Sequence, residues 1–397
     1  MTERPTAIEL PSYQDGGADL WAYLRELRHQ GPVFQDERTG VFHLFGYEEV
    51  QRALLDTAAF RSDMSEIMPL QTFGKGNLVQ TDPPRHRELR TLLNEAFAAR
   101  TKTLLDSRIA EIIHELLDQI SDQDSFDLTE QLTYPLPITV IAELLGVPGS
   151  DRGLFRKWAD DMFSLSFDTA FDPELPKAID AAAKPMIEYL HEHVRNRRKN
   201  RREDLISDLV AARVDGNGLD DEEAVSFSAI LLLAGHITTT LMLGNAVISL
   251  DENPAVNSAL RADRSGFGGF IEEVLRCRTP FTQLTRMTNK AVEFDGTTIP
   301  AGRMVALWLA AANRDENRFA EPDRFDPLRQ PNQHLSFGHG IHFCLGGPLA
   351  RLETKIALDI LFDEFTEIRL DPTQKPEFFA APGALGPRRL PVVVKRA

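Results

Sequence analysis

The sequence predicts one domain, residues 1–397, that is mainly α-helical with a minor β portion. Apolar residues recur with helical periodicity through most of the chain after residue 48. Strand candidates are short and lie before residue 46 and after residue 283. The chain contains no internal repeat, low-complexity tract or break in composition. We therefore expect one domain, although the length alone would allow two or three.

The N-terminal part is predicted to contain one helix and one hairpin before a long helical region. The helix spans about 20–29, and the hairpin strands are 33–34 and 41–45 with a turn at 37–40. Further helices are expected at about 48–55, 86–97, 104–120, 138–145, 152–163, 177–198 and 204–213.

A long apolar helix is predicted from residue 220 to about 249. Residues 227–250 include no Asp, Glu, Lys or Arg, and ~20 apolar residues are enough to cross a bilayer. However, Gly235, His236 and three threonines stand near its centre, and no Lys or Arg lies beside it to orient a span. We therefore expect a core helix and no membrane association. Asp220 and Glu223 have the spacing of a capping box at its start.

The C-terminal part mixes helices, short strands and one long irregular segment. A helix is predicted at 267–277, followed by strands at 284–287, 292–294 and 305–309, an irregular segment at 313–343, a helix at 346–365 and a strand at 390–394. Long irregular segments in compact domains are usually functional. The residues just before the last helix are therefore candidates for a site.

The composition argues against several classes of function. The chain has 44 basic and 60 acidic residues and a net charge of −16, whereas nucleic-acid-binding proteins present a basic surface. We therefore expect no nucleic acid partner. Two cysteines, Cys277 and Cys344, give no disulfide framework, which suits the cytoplasm. No apolar segment follows the first residues, so we expect no signal peptide.

The most informative segment is the glycine-rich run 337–347, Phe-Gly-His-Gly-Ile-His-Phe-Cys-Leu-Gly-Gly. Its glycines allow backbone conformations and close approaches that a β-carbon would block. Cys344 lies at the start of the predicted helix, where the helix dipole and nearby positive charge favour a thiolate. A thiolate bound to iron promotes cleavage of the O–O bond. The segment therefore indicates a cysteine presented to an iron cofactor.

Two other interpretations of this segment are possible. A single cysteine is most often a buried apolar residue without a chemical role. A zinc site is the second alternative, because four nitrogen or sulfur donors stand within eleven residues: His334, His339, His342 and Cys344. Structural zinc sites usually pair their ligands as C-x2-C or H-x3-H, and no second cysteine lies near Cys344.

The ordered pattern Phe-Gly-x-Gly-x-His-x-Cys-x-Gly resembles the haem-binding signature of the cytochromes P-450. The resemblance covers nearly the whole chain and is closest to soluble bacterial enzymes that tailor natural products, such as macrolide hydroxylases. It implies the mainly α cytochrome P-450 fold, with haem b (iron protoporphyrin IX) between the central helix and the helix after Cys344, and Cys344 as the iron ligand. It also implies a monooxygenase that inserts one oxygen atom of O2 into a substrate.

The central helix carries a second similarity to the family. Ala234, Gly235 and Thr238 resemble its oxygen-binding motif, with Thr238 at the position of the proton-relay threonine. The family usually has Asp or Glu just before that threonine, whereas this chain has Ile237. A glycine followed by hydroxyl residues also predicts a local opening of the helix, since a threonine hydroxyl can compete for the backbone hydrogen bonds.

Further residues are matched to the family through their positions. Glu273 and Arg276 resemble its Glu-x-x-Arg pair, a scaffold in which Arg324 would be the third member. His86 and Arg90 share one face of a helix because they are four residues apart. The resemblance assigns cofactor binding to six residues, of which the basic ones would hold the haem propionates: His86, Arg90, Arg286, Phe337, His342 and Cys344.

The resemblance also implies partners and a class of substrate. A ferredoxin and an NAD(P)H-dependent ferredoxin reductase would supply electrons, and a basic cluster would attract the acidic ferredoxin: Arg85, Arg87, Arg100, Lys102, Arg351 and Lys355. The expected substrate is lipophilic, because the predicted cavity walls are mostly apolar: residues 60–80, 162–171, 234–238, 281–284 and 381–385. Two alternatives remain open, a peroxygenase that uses H2O2 and a non-catalytic haem protein that senses or recruits.

Overall fold

Helices dominate the computed structural model, which describes residues 6–70, 72–73, 75–101, 105–163, 174–213, 216–379 and 383–397. The α-helices of these residues are α1 (Ala18–Gln30), α2 (Tyr47–Leu55), α3 (Arg85–Thr101), α4 (Leu105–Asp118), α5 (Pro135–Leu145), α6 (Arg152–Phe163), α7 (Leu175–Lys199), α8 (Leu205–Ala211), α9 (Asp221–Glu252), α10 (Pro254–Ala262), α11 (Phe267–Cys277), α12 (Leu309–Ala312) and α13 (Gly347–Glu364). A π-helical turn, Thr129–Thr133, precedes α5.

The strands are short and form four small sheets. They are β1 (Val33–Gln35), β2 (Phe42–Leu44), β3 (Phe60–Arg61), β4 (Ser125–Asp127), β5 (Leu284–Thr288), β6 (Val292–Phe294), β7 (Thr297–Ile299), β8 (Met304–Leu307), β9 (Phe365–Leu370), β10 (Glu377–Phe378), β11 (Pro387–Arg389) and β12 (Pro391–Arg396). The largest sheet has the order β1-β2-β8-β5-β3, and a second has the order β4-β12-β9. Strands β2 and β8 are parallel, with Phe42 opposite Val305.

Helix α9 runs through the middle of the helical part of the fold. It packs against α5, α7, α11 and α13. Both bonds of the predicted capping box are present at its start: the N–H of Glu223 donates to the Asp220 carboxylate at 2.9 Å, and the N–H of Asp220 donates to the Glu223 carboxylate at 3.1 Å. These bonds satisfy two of the backbone donors that a helix start leaves free. The sequence thus determined where this helix begins.

Helix α9 is also long and apolar enough to cross a membrane by length and composition. In its most apolar window, 72% of the residues are buried inside the protein. Helices α5, α7 and α13 cover it, as expected for the central helix of a core.

The predicted fold class, mainly α with a minor β portion, is confirmed. Most predicted helices and strands are present within a few residues of the expected bounds. Helices α10 and α12 and the short strands β3, β4, β7, β10 and β11 were not predicted. Strand β9 was also missed, because the predicted helix 346–365 ends at Glu364 and the chain then pairs with β12. Strand pairing depends on residues distant in sequence, so periodicity within one segment does not detect it.

Candidate functional site

A largely apolar cavity lies between α9, α13 and the loop that precedes α13. It contains about 920 Å³ of space free of protein atoms, part of it open to solvent. Helix α9 contributes residues between 227 and 239, α13 contributes residues between 349 and 353, and the loop contributes Phe337 and 342–346. Of the predicted site residues, the cavity lining includes Ala234, Gly235, Thr238, Arg90, Phe337, His342 and Cys344.

Cys344 is positioned by the conformation of the loop. Gly338 and Gly340 have positive φ angles of 70° and 72°, which residues with a β-carbon rarely adopt. The N–H of Cys344 donates to the carbonyl of Phe337 at 2.9 Å, and α13 begins three positions later at Gly347. The glycines therefore allow the backbone to fold back and bring the thiol to the cavity wall.

Opposing effects act on the pKa of the Cys344 thiol. Burial raises this pKa above its usual value, whereas the N–H groups of Gly346 and Gly347 and the charges of Arg90 and Arg351 lower it. In the protein alone, burial has the larger effect. The helix begins beside Cys344, as predicted, but the helix start and the cations do not ionise the thiol by themselves. A metal ion bound by this sulfur would displace the proton, because metal ligands bind in the deprotonated form.

Four basic side chains from three separate segments meet beside the cavity: His86, Arg90, Arg286 and His342. The rings of His86 and His342 lie 4.3 Å apart. Burial lowers the pKa of His342 to about 3, and the charges of Arg286, His86 and Arg90 act in the same direction. The structure therefore brings the four predicted residues together, with His342 as a neutral ring at neutral pH.

These buried basic groups have little carboxylate nearby among the described residues: Asp82 acts on His86, Arg286 and His342, and no carboxylate hydrogen-bonds to Arg90 or Arg286. His86 Nε2 is buried without a hydrogen-bond partner. The guanidinium of Arg286, a residue 7% exposed, donates to the carbonyl of the adjacent Thr285, and burial lowers its pKa to about 10. Burial likewise lowers the pKa of Arg90. Buried cations normally need a charged partner, so this group of side chains suits a ligand that carries its own carboxylates.

Asp82 is held mainly by backbone donors. It lies 4.0 Å from His342 Nε2, but its two oxygens accept hydrogen bonds at 3.0 Å from the backbone N–H groups of Ser62 and Asp63. The Ser62 hydroxyl is 3.0 Å from His342 Nε2. Asp82 thus orders the backbone beside His342.

The loop also leaves room for a flat group. A β-carbon at Gly346 would meet no other atom within 4 Å, and one at Gly347 would lie 3.4 Å from the ring of Phe337. The guanidinium carbon of Arg351 lies over that ring, 4.3 Å from its centre. Apolar walls, one thiol and a basic edge together fit a flat, apolar ligand with a metal ion at its centre and carboxylates at one side.

The zinc alternative is not supported by the described residues, which contain no group of three or more His, Cys, Asp or Glu side chains placed to hold a metal ion. His334 lies 3.1 Å from Glu272. His342 faces Ser62 and Asp82. His334 and His342 therefore have different neighbours, and Cys344 lies at the cavity wall.

The predicted motif of α9 forms one wall of the cavity without breaking the helix. Residues 221–252 are helical throughout, so the expected local opening of the backbone is absent. The hydroxyl of Thr238 donates to the carbonyl of Ala234 at 2.6 Å, which satisfies the hydroxyl within an intact helix. Gly235 instead allows a close contact, since a β-carbon there would lie 3.0 Å from Ile141 of α5.

Ile237 faces away from the cavity. It is 1% exposed and packs in a small apolar cluster with Leu241 and Ala384. The residue before Thr238 therefore contributes no acid to the cavity wall, and its side chain fills the protein core.

Glu273 and Arg276 form a fully buried ion pair that organises the irregular segment before Cys344. Both side chains have zero exposure, and the two groups bond to each other twice at 2.8 Å. Arg276 also donates to the carbonyls of Asn313, Pro322 and Arg324. The pair supports the loop, as the sequence suggested.

The predicted third member of this scaffold, Arg324, is wrong. Its guanidinium is 64% exposed and pairs with Glu321 at the surface, so it contributes only its backbone carbonyl. Arg329 takes the place instead, with 10% exposure and 3.2 Å between its Nε and the Glu273 carboxylate. The reason is the path of the chain after Arg324. The N–H of Asp326 donates to the Glu273 carboxylate, which holds this segment next to Glu273. Arg329, three residues later, therefore points its guanidinium to Glu273.

Three of the six members of the predicted basic cluster pair with carboxylates. Arg351 makes two hydrogen bonds to Glu272, at 2.6 and 2.9 Å. Lys355 pairs with Asp359, and Arg85 pairs with Glu88 and Glu223. Arg87 is exposed, whereas Lys102 and the side chain of Arg100 lie outside the described residues. The cluster is therefore less basic than its sequence suggests.

The predicted cavity walls are correct in part. Leu78 and Val79 line the cavity, as does the segment 234–238 apart from His236 and Ile237. Residues 281–284 are not among the described lining residues. Leu284, the first residue of β5, packs instead against the apolar cluster beneath its own sheet. Residues 164–171 and 381–382 lie outside the described part of the chain.

Several lining residues were missed by sequence reasoning, above all Glu353. The others are apolar: Phe97, Ile141, Phe227, Ile230, Leu231 and Leu349. Glu353 follows Leu349 by four positions and Ala350 by three, so the three share one face of a helix. The spacing of these three residues could have indicated that Glu353 faces the cavity. However, α13 carries other charged residues, and an acidic residue among them is expected to face solvent.

Comparison with known proteins gives one consistent result. The profile of the family described as Cytochrome P450 matches residues 4–265 and 268–394. Cyclomarin C epoxidase of Salinispora arenicola is 42% identical over 391 residues, which covers 97% of this chain and 98% of that protein. Erythromycin C-12 hydroxylase of Saccharopolyspora erythraea is 43% identical over 390 residues, which covers 98% of this chain and 97% of that protein.

A solved structure extends the similarity to three dimensions. A mutant of P450 EryK in complex with erythromycin B is 43% identical and superposes with a TM-score of 0.91, covering 97% of this chain and 98% of that one.

Proposed function

This chain belongs to the cytochrome P450 family, and on that premise we propose that it oxidises a bulky lipophilic natural product of bacterial secondary metabolism. The family membership makes it a haem-binding monooxygenase. The apolar cavity beside Cys344 supports the proposed substrate class most directly. The similarity to an epoxidase and a hydroxylase named for cyclomarin C and erythromycin supports it as well.

The proposed haem contacts follow from the donor set of the cavity. Cys344 is the proposed iron ligand, with Phe337 in the loop beside it. The proposed partners of the haem propionates are His86, Arg90, Arg286 and His342. The haem supplies the activation of O2. The residues of the chain bind and orient the substrate, exclude water and carry protons.

The cavity walls carry the argument for a lipophilic substrate. Phe97, Phe227 and Leu231 are buried in the protein core and reach the cavity from α3 and α9. Burying apolar substrate surface against them releases ~25 cal/mol per Å², so binding is driven mainly by apolar contact. A charged substrate without a partner would lose more than it gained.

A binding screen tests this proposal. Macrolides, cyclic peptides, steroids and small polar compounds are added to the haem-loaded protein, and the haem absorption band is recorded. We expect a blue shift, which reports displacement of water from the iron, with one or more of the bulky lipophilic compounds. Shifts confined to small polar compounds would contradict the proposal.

Thr238 is the proposed proton carrier of the α9 wall. Its hydroxyl lines the cavity and donates to the Ala234 carbonyl. We expect Thr238→Ala to raise the peroxide released per NAD(P)H consumed several-fold, because protons reach reduced oxygen less directly. The matched control is Thr240→Ala, which removes a buried hydroxyl bonded to His236 on the same helix. Equal coupling in both variants would exclude a relay role for Thr238.

The proposed electron donors are a ferredoxin and an NAD(P)H-dependent ferredoxin reductase in the cytoplasm. The pairing of Arg85, Arg351 and Lys355 with carboxylates leaves less positive surface for an acidic partner than the sequence indicates. We therefore expect turnover with ferredoxin to fall only moderately as the salt concentration rises, since few exposed charges contribute to docking.

A peroxygenase is the second candidate, favoured by one observation. Ile237 provides no acid next to Thr238 and is buried away from the cavity. The test compares product yield with H2O2 against yield with NADH, ferredoxin and reductase. We expect the reductase system to give more product per haem, and a higher yield with peroxide would favour the second candidate.

A further inference from the structure

His236 lies on the side of α9 that faces away from the cavity. Successive residues of an α-helix are ~100° apart, so His236 points almost opposite to Thr238, which lines the cavity. His236 is fully buried, and neither of its ring nitrogens makes a hydrogen bond of normal geometry among the described residues. Burial lowers the pKa of His236 to about 3, an effect that the nearby backbone of Tyr134 only partly offsets. His236 is therefore a neutral ring that is held by packing.

Tyr134 is the residue that packs against this ring. The centres of the two rings lie 4.2 Å apart, and their planes are nearly perpendicular at 88°, an arrangement that aromatic pairs favour. Tyr134 is 7% exposed and directly follows the π-helical turn Thr129–Thr133, where its N–H donates to the carbonyl of Thr129 at 3.0 Å. This turn packs against α9. The backbone before α5 therefore holds the Tyr134 ring at the surface of α9.

The hydroxyl end of Tyr134 is anchored to α6. It donates to the Asp160 carboxylate at 2.6 Å, and the guanidinium carbon of Arg156 lies 4.9 Å from the centre of the Tyr134 ring. Burial, together with the hydrogen bond to Asp160, raises the pKa of Tyr134, so its hydroxyl remains a donor. Hydrogen bonds to an ionised acceptor are stronger than those between neutral groups. Tyr134 thus connects α6, through its hydroxyl, to His236 of α9, through its ring.

We propose that Tyr134 is a positioning residue of the oxidation site: by holding His236, it fixes the rotation of α9 and thereby the place of Thr238 at the cavity wall. The proposal rests on the monooxygenase function stated above. Ala234, Gly235 and Thr238 form the α9 wall of the cavity, and the helix that carries them is unbroken. A rotation that loosens the contact at His236 therefore displaces all three. Gly235 has no side chain to resist such a rotation, so the contact on the far side of the helix supplies the restraint.

Tyr189 of α7 provides a matched control, because it makes the same kinds of contact elsewhere. Its hydroxyl donates to the Asp151 carboxylate at 2.7 Å, and the centre of its ring lies 4.4 Å from that of His193. Neither Tyr189 nor His193 is among the described residues that line the cavity. Substitutions of Tyr189 therefore remove a tyrosine–carboxylate bond and an aromatic contact without touching His236.

The first test is the infrared C–O stretching band of carbon monoxide bound to the reduced, haem-loaded protein without substrate. This band responds to the polarity and crowding around the bound gas. We expect Tyr134→Phe, which loses the bond to Asp160, to shift or broaden the band, and Tyr134→Leu, which also loses the ring, to shift it further. Tyr189→Phe and Tyr189→Leu should leave the band unchanged even where they lower Tm. An unchanged band in Tyr134→Phe, or equal shifts in the Tyr189 variants, would overturn the proposal.

The second test isolates the link to α6 with an exposed residue. Asp160→Ala removes the acceptor of the Tyr134 hydroxyl, so it should shift the carbonyl band as Tyr134→Phe does. The double variant should add no further shift, because both substitutions remove one interaction, and additive shifts would contradict the link. With a bound substrate, Tyr134→Phe should release several-fold more peroxide per NAD(P)H than Tyr189→Phe. If no compound yields product, the proposed substrate class fails, and the carbonyl band still decides the role of Tyr134.

Discussion

Replacing Arg276 with leucine should remove most of the stability of the fold. The substitution removes one of the two guanidinium partners of Glu273, a carboxylate with zero exposure, and leaves it with Arg329, and breaking a buried ion pair on one side costs ~3–5 kcal/mol. It also leaves the carbonyls of Asn313 and Pro322 without their donor. Since domains are stable by only ~5–15 kcal/mol, we expect little soluble haem-loaded protein. Urea unfolding of whatever folds, monitored by circular dichroism, measures the loss.

Two milder variants test which arginine, Arg324 or Arg329, is the third member of the scaffold of Glu273 and Arg276. Arg329→Ala removes a nearly buried guanidinium bonded to Glu273 and should cost ~1–3 kcal/mol. Arg324→Ala removes an exposed guanidinium paired with Glu321 and should cost less than ~1 kcal/mol. Equal losses, or a larger loss for Arg324→Ala, would contradict the assignment of Arg329 as the third member.

Replacing Cys344 with serine should abolish thiolate ligation and monooxygenase activity. A serine hydroxyl does not supply the electron density that a thiolate gives to iron. We expect weaker haem binding and loss of the long-wavelength absorption band that the reduced carbonyl complex shows when a thiolate is the ligand. Product formation should fall below detection, while the secondary structure is retained because the loop backbone keeps its glycines.

Cys277→Ser is the matched control for this experiment. Cys277 is 5% exposed and accepts a hydrogen bond from Arg276 at 3.0 Å, an interaction that a serine oxygen can also make. This variant should retain the band and the activity. If Cys277→Ser loses the band and Cys344→Ser keeps it, the proposed iron ligand is wrong.

Local patterns were sufficient for several parts of this protein. The capping box of Asp220 and Glu223 involves residues three positions apart, so the sequence alone indicates where α9 begins. The loop around Cys344 is similar, because Gly338 and Gly340 adopt the positive φ angles that glycine permits. The long helices were also predictable, since each is set by the periodicity of its own segment.

Predictions for single residues were wrong where the role of the residue depends on a partner distant in sequence. Arg324 follows Pro322 and Asp323, as the resemblance requires, but the turn at Asp326 brings Arg329 to Glu273 instead. The basic cluster was predicted from the positions of basic residues on two helices expected to be neighbours, whereas Arg351 is held by Glu272, 79 positions away in sequence. Which residues form an ion pair depends on their distance in the folded protein, and a short segment of sequence does not show that distance.

The sequence by itself determined the class of fold, the cysteine loop and the motif of the central helix, since these depend on neighbouring residues. The tertiary structure alone decided that Arg329 is a partner of Glu273 and that Glu353 is buried and protonated. The physical reason is that the pKa of a side chain depends on its burial and on charges from other segments. Glu353 is an ordinary acid in the sequence, and it keeps its proton at neutral pH only because folding removes it from water.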